Sequence, residues 1–219
     1  MRLLRPRGVY EPQEDTELLA KAARSELRTL HLPHHAEILD VGTGTGALAL
    51  LAARCTAARV TAIDISWRAV LAARYNARRL GLPIQVHRGD LTGPVKDRRF
   101  DLILSNPPYV RSPRRAKDAA ARTWAAGADG RAVLDRLCAE APTLLKEGGV
   151  LLLVQSALSG VAPTLERLGD AGLSARVALR DTVPFGPVME SHAEWLERHG
   201  VIPPGERKEE LVVIRAQRT

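Results

Sequence analysis

The chain has 219 residues, 45% hydrophobic and 26% charged, the balance of a soluble globular protein with room for one domain and a substantial core. Its longest apolar stretches, around Ala47–Ala53 and Val150–Val154, fall well short of the roughly 20 residues that a membrane-crossing helix needs. The basic start, Met1–Gly8, has no apolar segment behind it, so a secretory signal is not expected and the cytoplasm is the expected compartment.

A helix is expected over residues 12–30, where Pro12, Glu14 and Asp15 suit a helix start and Leu19, Ala22, Ala23, Leu27 and Leu30 recur at helical spacing. Ile38–Val41 is a short apolar strand that runs into Gly42-Thr43-Gly44-Thr45-Gly46, and a helix follows from Ala47 to about Arg54. Val60–Asp64 is the next strand, and Ser66 caps a helix that reaches Leu80 and stops at Gly81 and Pro83. Ile84–Arg88 and Phe100–Ser105 are further strands, ending in Gly89-Asp90 and in Asn106-Pro107-Pro108-Tyr109. Residues 111–128 read as a mobile loop carrying the one dense basic patch, Arg111, Arg114, Arg115, Lys117 and Arg122. A helix is expected over Gly130–Leu145, closed by Gly148-Gly149, and then a buried strand, Val150–Gln155. A helix over Val161–Ala171 and strands over Leu173–Asp181 and Leu211–Arg215 complete the pattern. Strands alternate with helices, so the expected fold is a single α/β domain: an open, mostly parallel Rossmann-like sheet with helices on both faces. Residues 183–210, with four prolines and a short helical piece at Ser191–Arg198, form an insertion before the last strand that could be a surface excursion or a substrate or partner element.

A net charge of +7 and a pI near 10.0 favour nucleic acid, ribosomes or an acidic protein as partner, although arginine is spread along the chain. Cys55 and Cys138 match no metal spacing and are both expected to be buried small hydrophobes. The histidines near Pro33 read as a solvated connector, so no metal site is expected.

Four strand ends carry chemistry. Asp40-Val41-Gly42-Thr43-Gly44-Thr45-Gly46 lets the backbone turn tightly and approach a ligand, with free N–H groups at the helix that follows. Its spacing is not that of a dinucleotide loop, which places its third glycine one position later, and so points to a nucleoside-plus-amino-acid cofactor. Asp64 stands where a carboxylate can accept from both ribose hydroxyls, and Asp90 where one can accept from an adenine amino group. Asn106-Pro107-Pro108-Tyr109 is a stiff turn rich in acceptors and poor in donors, able to hold a planar –NH2 group by its two hydrogens beside an aromatic ring. In an open α/β sheet ligands bind at the carboxyl ends of the strands, which puts all four on one edge.

With these motifs the chain resembles the class I S-adenosylmethionine-dependent methyltransferases. More closely, it is similar to the HemK-type enzymes that methylate the glutamine N5 of the Gly-Gly-Gln loop in peptide-chain release factors. The segment Val9–Thr16 places it near the short branch of that family. The resemblance implies S-adenosyl-L-methionine as cofactor, with Thr16 touching it, Asp40 and Gly42 at its methionine end, Asp64 at the ribose, and Asp90 with Leu91 at the adenine. Gly44, Gly46, Ile65 and Asn106 complete the expected cofactor set. Asn106, Pro107, Pro108 and Tyr109 are the expected acceptor set, with Asn106 gripping the amide. Short-branch relatives work with a small zinc-binding activator on an edge strand, for which Ile84–Arg88 is the candidate here. The same turn also serves enzymes that methylate exocyclic amines of nucleic-acid bases, and the patch Arg111–Arg122 keeps that reading open. An inactive S-adenosylmethionine-binding module is the remaining alternative.

Overall fold

The computed structural model describes residues 3–30, 32, 33, 35–112 and 126–219. Its centre is a seven-stranded sheet in the order β3-β2-β1-β4-β5-β7-β6. The parallel part comprises β1 (Glu37–Val41), β2 (Arg59–Asp64), β3 (Ile84–Arg88), β4 (Phe100–Ser105) and β5 (Leu145–Ser156). β7 (Lys208–Arg218) runs antiparallel to β5 and to β6 (Leu173–Pro184), and α5 (Val161–Asp170) links β5 to β6. Ile38, Leu39, Ile63, Leu102, Ile103, Leu104 and Leu151 are fully buried, because central parallel strands are covered on both faces.

Chain direction across the sheet reverses at β1. The path β1-β2-β3 steps one way, through α2 (Ala47–Cys55) and α3 (Trp67–Arg79), and β4-β5 steps the other way through α4 (Leu134–Glu140). Right-handed crossovers therefore place α2 and α3 on one face and α4 on the other, and leave a crevice beyond the ends of β1 and β4. The register brings Val41 beside both Ser105 and Ile63, so the turns after these three strands meet. α1 (Glu14–Thr29) packs its apolar stripe of Leu18, Leu19, Ala22, Ala23 and Leu27 on this core, with its N-terminus at the crevice.

Several elements differ from expectation. The helix expected over Gly130–Leu145 is α-helical only from Leu134 to Glu140 and ends in a 3-10 turn, Ala141–Leu144, because Pro142 lacks the N–H an α-helix needs. Gly148 and Gly149 do not close that helix but lie inside β5, where the pairing with β4 shifts register between Phe100 and Leu102. A Cβ on Gly149 would stand 2.9 Å from the Phe100 carbonyl oxygen, so only glycine fits there. The last two strands are longer than their apolar runs, since β6 and β7 pair from Leu173↔Arg218 to Pro184↔Lys208. The insertion contains a helix, α6 (Pro187–Arg198), which starts earlier than Ser191 on Pro187 and buries Met189, Ala193 and Leu196. Cys138 is buried, but Cys55 is exposed at the end of α2. Of the expected loop over 111–128, residues 113–125 lie outside the described residues, and with them Arg114, Arg115, Lys117 and Arg122 of the basic patch. Its two feet pair through Ser112 N–H to the Gly127 carbonyl (2.9 Å) and Ala126 N–H to the Val110 carbonyl (3.0 Å). Among the described residues no helix is long and apolar enough to cross a membrane, and no group of three or more His, Cys, Asp or Glu could hold a metal ion.

Candidate active site

The crevice is a cavity of about 690 Å³, within the roughly 300–1,000 Å³ usual for small-molecule sites. Thr16, Gly42, Gly44, Asp64, Ile65, Asp90, Leu91, Asn106, Pro107, Pro108 and Tyr109 all line it. Asp40 and Gly46 do not.

The glycine loop hangs on β2: the N–H groups of Gly42 and Thr43 donate to the Ile63 carbonyl at 2.9 and 3.0 Å. Asp40 stands behind the loop, 1% exposed, where one oxygen accepts from the Thr43 hydroxyl (2.6 Å) and the Ala49 N–H (3.0 Å). Its other oxygen, Oδ1, is buried without a partner in the protein. Burial raises the Asp40 carboxyl to about 6, against the two hydrogen bonds that lower it. Gly46 has φ of +88° and faces Ala73 of α3, so it serves the close approach of α2 to α3 rather than a ligand. Gly44, at φ +55°, has nothing within 4 Å of where its Cβ would be, and the open space is the cavity.

Asp64 ties two elements together. Its Oδ2 accepts from Gly44 N–H (2.9 Å) and its Oδ1 from Ser66 N–H (2.8 Å). Burial pushes this carboxyl up, and the two backbone bonds pull it down. Each oxygen keeps a further lone pair for a ligand hydroxyl. Gly89 follows β3 and must be glycine, since a Cβ would fall 2.1 Å from Pro94. Asp90 beside it is exposed, and its carboxylate is forked by Arg136 of α4 at 2.9 and 3.3 Å. Leu91, at φ +44°, has the one positive φ among the described non-glycine residues, a strained backbone at the cavity wall.

At the end of β4, Ser105 donates its hydroxyl to the Val41 carbonyl (2.9 Å), and Ser159 donates to the Tyr109 carbonyl (2.8 Å), which fixes both ends of the proline turn. Asn106 Nδ2 donates to Thr16 Oγ1 (3.1 Å), leaving its Oδ1 as an acceptor. The Tyr109 phenol donates to Asp15 Oδ2 (2.9 Å), and so does Tyr10 (2.8 Å). Burial, then the Asp15 charge, raises both phenols far above their ordinary value, so both stay protonated.

Sequence reasoning missed three groups here. Arg136 forks Asp90 from 46 residues away, and no local pattern marks it. Asp15 was placed only as a first-turn acid, yet it is 4% exposed and faces inward. Glu209 lines the cavity, 8% exposed, with Oε2 unpartnered, and burial followed by the nearby Asp15 raises its carboxyl. The apolar run Leu211–Ile214 that follows is buried on both faces, so no period in the sequence tells which of Glu209 and Glu210 points inward. From the insertion, Val183, Pro184, Gly186, Val188 and Met189 also reach the cavity wall.

Comparisons with known proteins agree with this architecture. The family model for the methyltransferase small domain matches residues 14–172. A Methanocaldococcus jannaschii protein, provisionally named a protein N5-glutamine methyltransferase, is 35% identical over 187 residues, 84% of this chain and 91% of that one. The release factor glutamine methyltransferase of Deinococcus radiodurans is 42% identical over 174 residues, 76% of this chain but only 60% of that one. Among solved structures, the E. cuniculi Mtq2–Trm112 complex, described as responsible for methylating the eRF1 termination factor, superposes with a TM-score of 0.67 at 23% identity, covering 97% of this chain and 99% of that one. The chain belongs to the class I methyltransferases, as a methyltransferase small domain of the HemK type.

Proposed function

We propose that this chain is an S-adenosyl-L-methionine-dependent N-methyltransferase that acts on a protein glutamine, the one in the Gly-Gly-Gln loop of a peptide-chain release factor. The observation that carries this reading is the Asn106 amide, whose Nδ2 is engaged by Thr16 while Oδ1 is left as an acceptor beside Pro107 and Tyr109. The naming of the archaeal and bacterial relatives supports the glutamine acceptor. A cytoplasmic location follows from such a substrate.

The residues present fit the cofactor. Asp64 keeps lone pairs for two hydroxyls, Gly42 and Gly44 leave room for close approach, and the buried Asp40 Oδ1 lacks a partner under the loop. In this reading Thr16 and Gly42 serve the methionine end, with Asp40 holding the loop from behind, Asp64 and Ile65 serve the ribose, and Asp90 with Leu91 the adenine. Arg136 then aims the Asp90 carboxylate. Gly46 acts only through packing. When bound, S-adenosyl-L-methionine supplies an electrophilic methyl group.

The chain's own part is to present the nucleophile. An amide nitrogen is poor at this because its lone pair is delocalised into its carbonyl. Asn106 Oδ1 and the Pro107 carbonyl would each accept one N–H of the acceptor, turning its lone pair toward the methyl and stabilising positive charge that builds on nitrogen. The Tyr109 ring would flank the planar amide, held by its bond to Asp15. Asn106→Ala is expected to lower kcat by about 10²–10³, or roughly 2.7–4 kcal/mol, with cofactor affinity nearly unchanged by calorimetry. Near-normal turnover in that variant would sink the assignment.

For partners, the reading keeps a small zinc-binding activator at β3. Two observations support it: β3 is the outermost strand, and the adjoining α3 exposes Trp67, Leu71 and Tyr75 along one face. Arg74 donates to the Val86 carbonyl (2.7 Å), so an added strand would pair around or displace it. A base amine remains the competing acceptor. Binding of RNA or DNA that weakens steeply with salt would favour it.

A further inference from the structure

We propose that Asp15 is a positioning residue that sets, through Thr16, which end of the Asn106 amide faces the acceptor. The inference rests on the reading of Asn106 as the acceptor's cradle. An asparagine side chain has an accepting end and a donating end of nearly equal shape, so packing alone does not choose between them. With Nδ2 toward the cavity, two N–H groups would oppose each other and the cradle would fail. Something must therefore fix the amide's orientation before substrate arrives.

The structure shows a chain of hydrogen bonds with one direction. Asp15 Oδ1 accepts from the Thr16 N–H and from the Thr16 hydroxyl (3.1 Å). Asp15 Oδ2 accepts from the phenols of Tyr10 (2.8 Å) and Tyr109 (2.9 Å). Both oxygens are thus occupied as acceptors, and the single Thr16 hydroxyl proton is drawn to Asp15. What Thr16 Oγ1 has left for Asn106 is a lone pair, so it can receive only N–H, and it takes Nδ2 at 3.1 Å. Asn106 Oδ1 is then turned outward. Asp15 and Thr16 are 4% and 8% exposed, so water competes little for these bonds.

A plain helix-dipole role for Asp15 in the first turn of α1 would not need this arrangement. A first-turn charge is satisfied at the surface, whereas Asp15 is buried against phenols from two other segments. The same carboxylate also holds Tyr109, so Asp15 positions both the Asn106 amide and the ring beside it.

The chain offers a clean readout, because Asn76 and Asn106 are its two asparagines. Selective 15N labelling of the asparagine side chains should give two NH2 pairs. Asn76 serves as control, since its Nδ2 donates to the Leu4 and Thr45 carbonyls at 3.1 and 2.9 Å, away from Asp15. The wild-type Asn106 pair should show one hydrogen-bonded, downfield proton. Asp15→Ala and Thr16→Val, which add no asparagine, should each abolish that signature and leave the Asn76 pair in place, which also reports that the variant is folded. Thr16→Ser should restore it. In methyl transfer, Asp15→Ala should lower kcat about 10–100-fold with the acceptor KM within about threefold. An Asn106 pair that does not move in either variant, or a loss confined to KM, would overturn the proposal. If the Asn106 signature behaves as expected while no glutamine is methylated, the orienting relay stands and the assignment of the acceptor falls.

Discussion

Gly46→Ala separates the two kinds of glycine in the loop. The substitution places a non-glycine residue at φ +88°, and the new Cβ meets Ala73 at 3.2 Å to its Cβ and 3.3 Å to its Cα. The left-handed backbone costs roughly 1–2 kcal/mol for a residue with a Cβ. The close contact is with the backbone-proximal atoms of another helix, which cannot swing away, and overpacking of this kind costs about 1–3 kcal/mol. Taken as independent, the two effects set an expected loss of up to about 2–5 kcal/mol of folding stability. Gly44→Ala shares the positive φ, +55°, but its Cβ meets nothing within 4 Å. Its expected stability loss is only the backbone part, about 1–2 kcal/mol. Gly44 lines the cavity, so the larger effect should fall on cofactor affinity. Urea denaturation of the ligand-free proteins gives the stability difference, and titration calorimetry with S-adenosyl-L-methionine gives the affinity. Equal stability losses in the two variants would refute this division of labour. So would a Gly46→Ala protein of normal stability that binds the cofactor poorly.

Two further outcomes follow from the same geometry. Asp40 is raised from 3.8 to about 6 in the folded state, so the fold binds its proton more tightly than the unfolded chain does. The resulting stability is fully present below about pH 4 and is lost as pH rises through about 6, on the order of 3 kcal/mol. Asp40→Asn should therefore flatten stability against pH over that window, as read by denaturation midpoints; because Asp64 and Glu209 are raised as well, the slope is reduced rather than removed. Val188 reaches the cavity from α6, far from the glycine loop in sequence. Val188→Asp should raise the acceptor KM at least several-fold and leave cofactor affinity unchanged, whereas unchanged kinetics would remove the insertion from substrate choice.

The parts of the fold legible in the sequence are those written locally. Ile38–Val41, Val60–Asp64 and Phe100–Ser105 are apolar runs ended by Gly, Asp or Asn-Pro, and each became a strand with its motif at the carboxyl edge. Where two local signals competed, the period of the apolar residues misled. Leu144 and Leu145 continue the helical spacing of α4 past Pro142, yet the missing proline N–H ends the helix first. Gly148-Gly149 looks like a helix stop but provides the irregular pairing at the start of β5. In the site, a motif marks a place but not a job. Asp40 and Gly46 belong to the glycine loop by spacing, and the structure uses them to hold it from behind. The groups that orient the site were invisible because their partners are distant in the chain: Asp15 with Tyr109 across 94 residues, and Arg136 with Asp90 across 46. Such pairs exist only once the sheet has set the register.

In the proposed mechanism the Asn106 turn presents a glutamine amide for methylation. The most direct measurement is transfer of a labelled methyl group from S-adenosyl-L-methionine to a panel of release factor, ribosomal protein, tRNA, rRNA and DNA, followed by mass spectrometry of the product. Label is expected in the release factor alone, on the side-chain nitrogen of the Gly-Gly-Gln glutamine, reduced about 10²-fold or more by Asn106→Ala. Label on a nucleic-acid base, with the release factor unmodified, would contradict it.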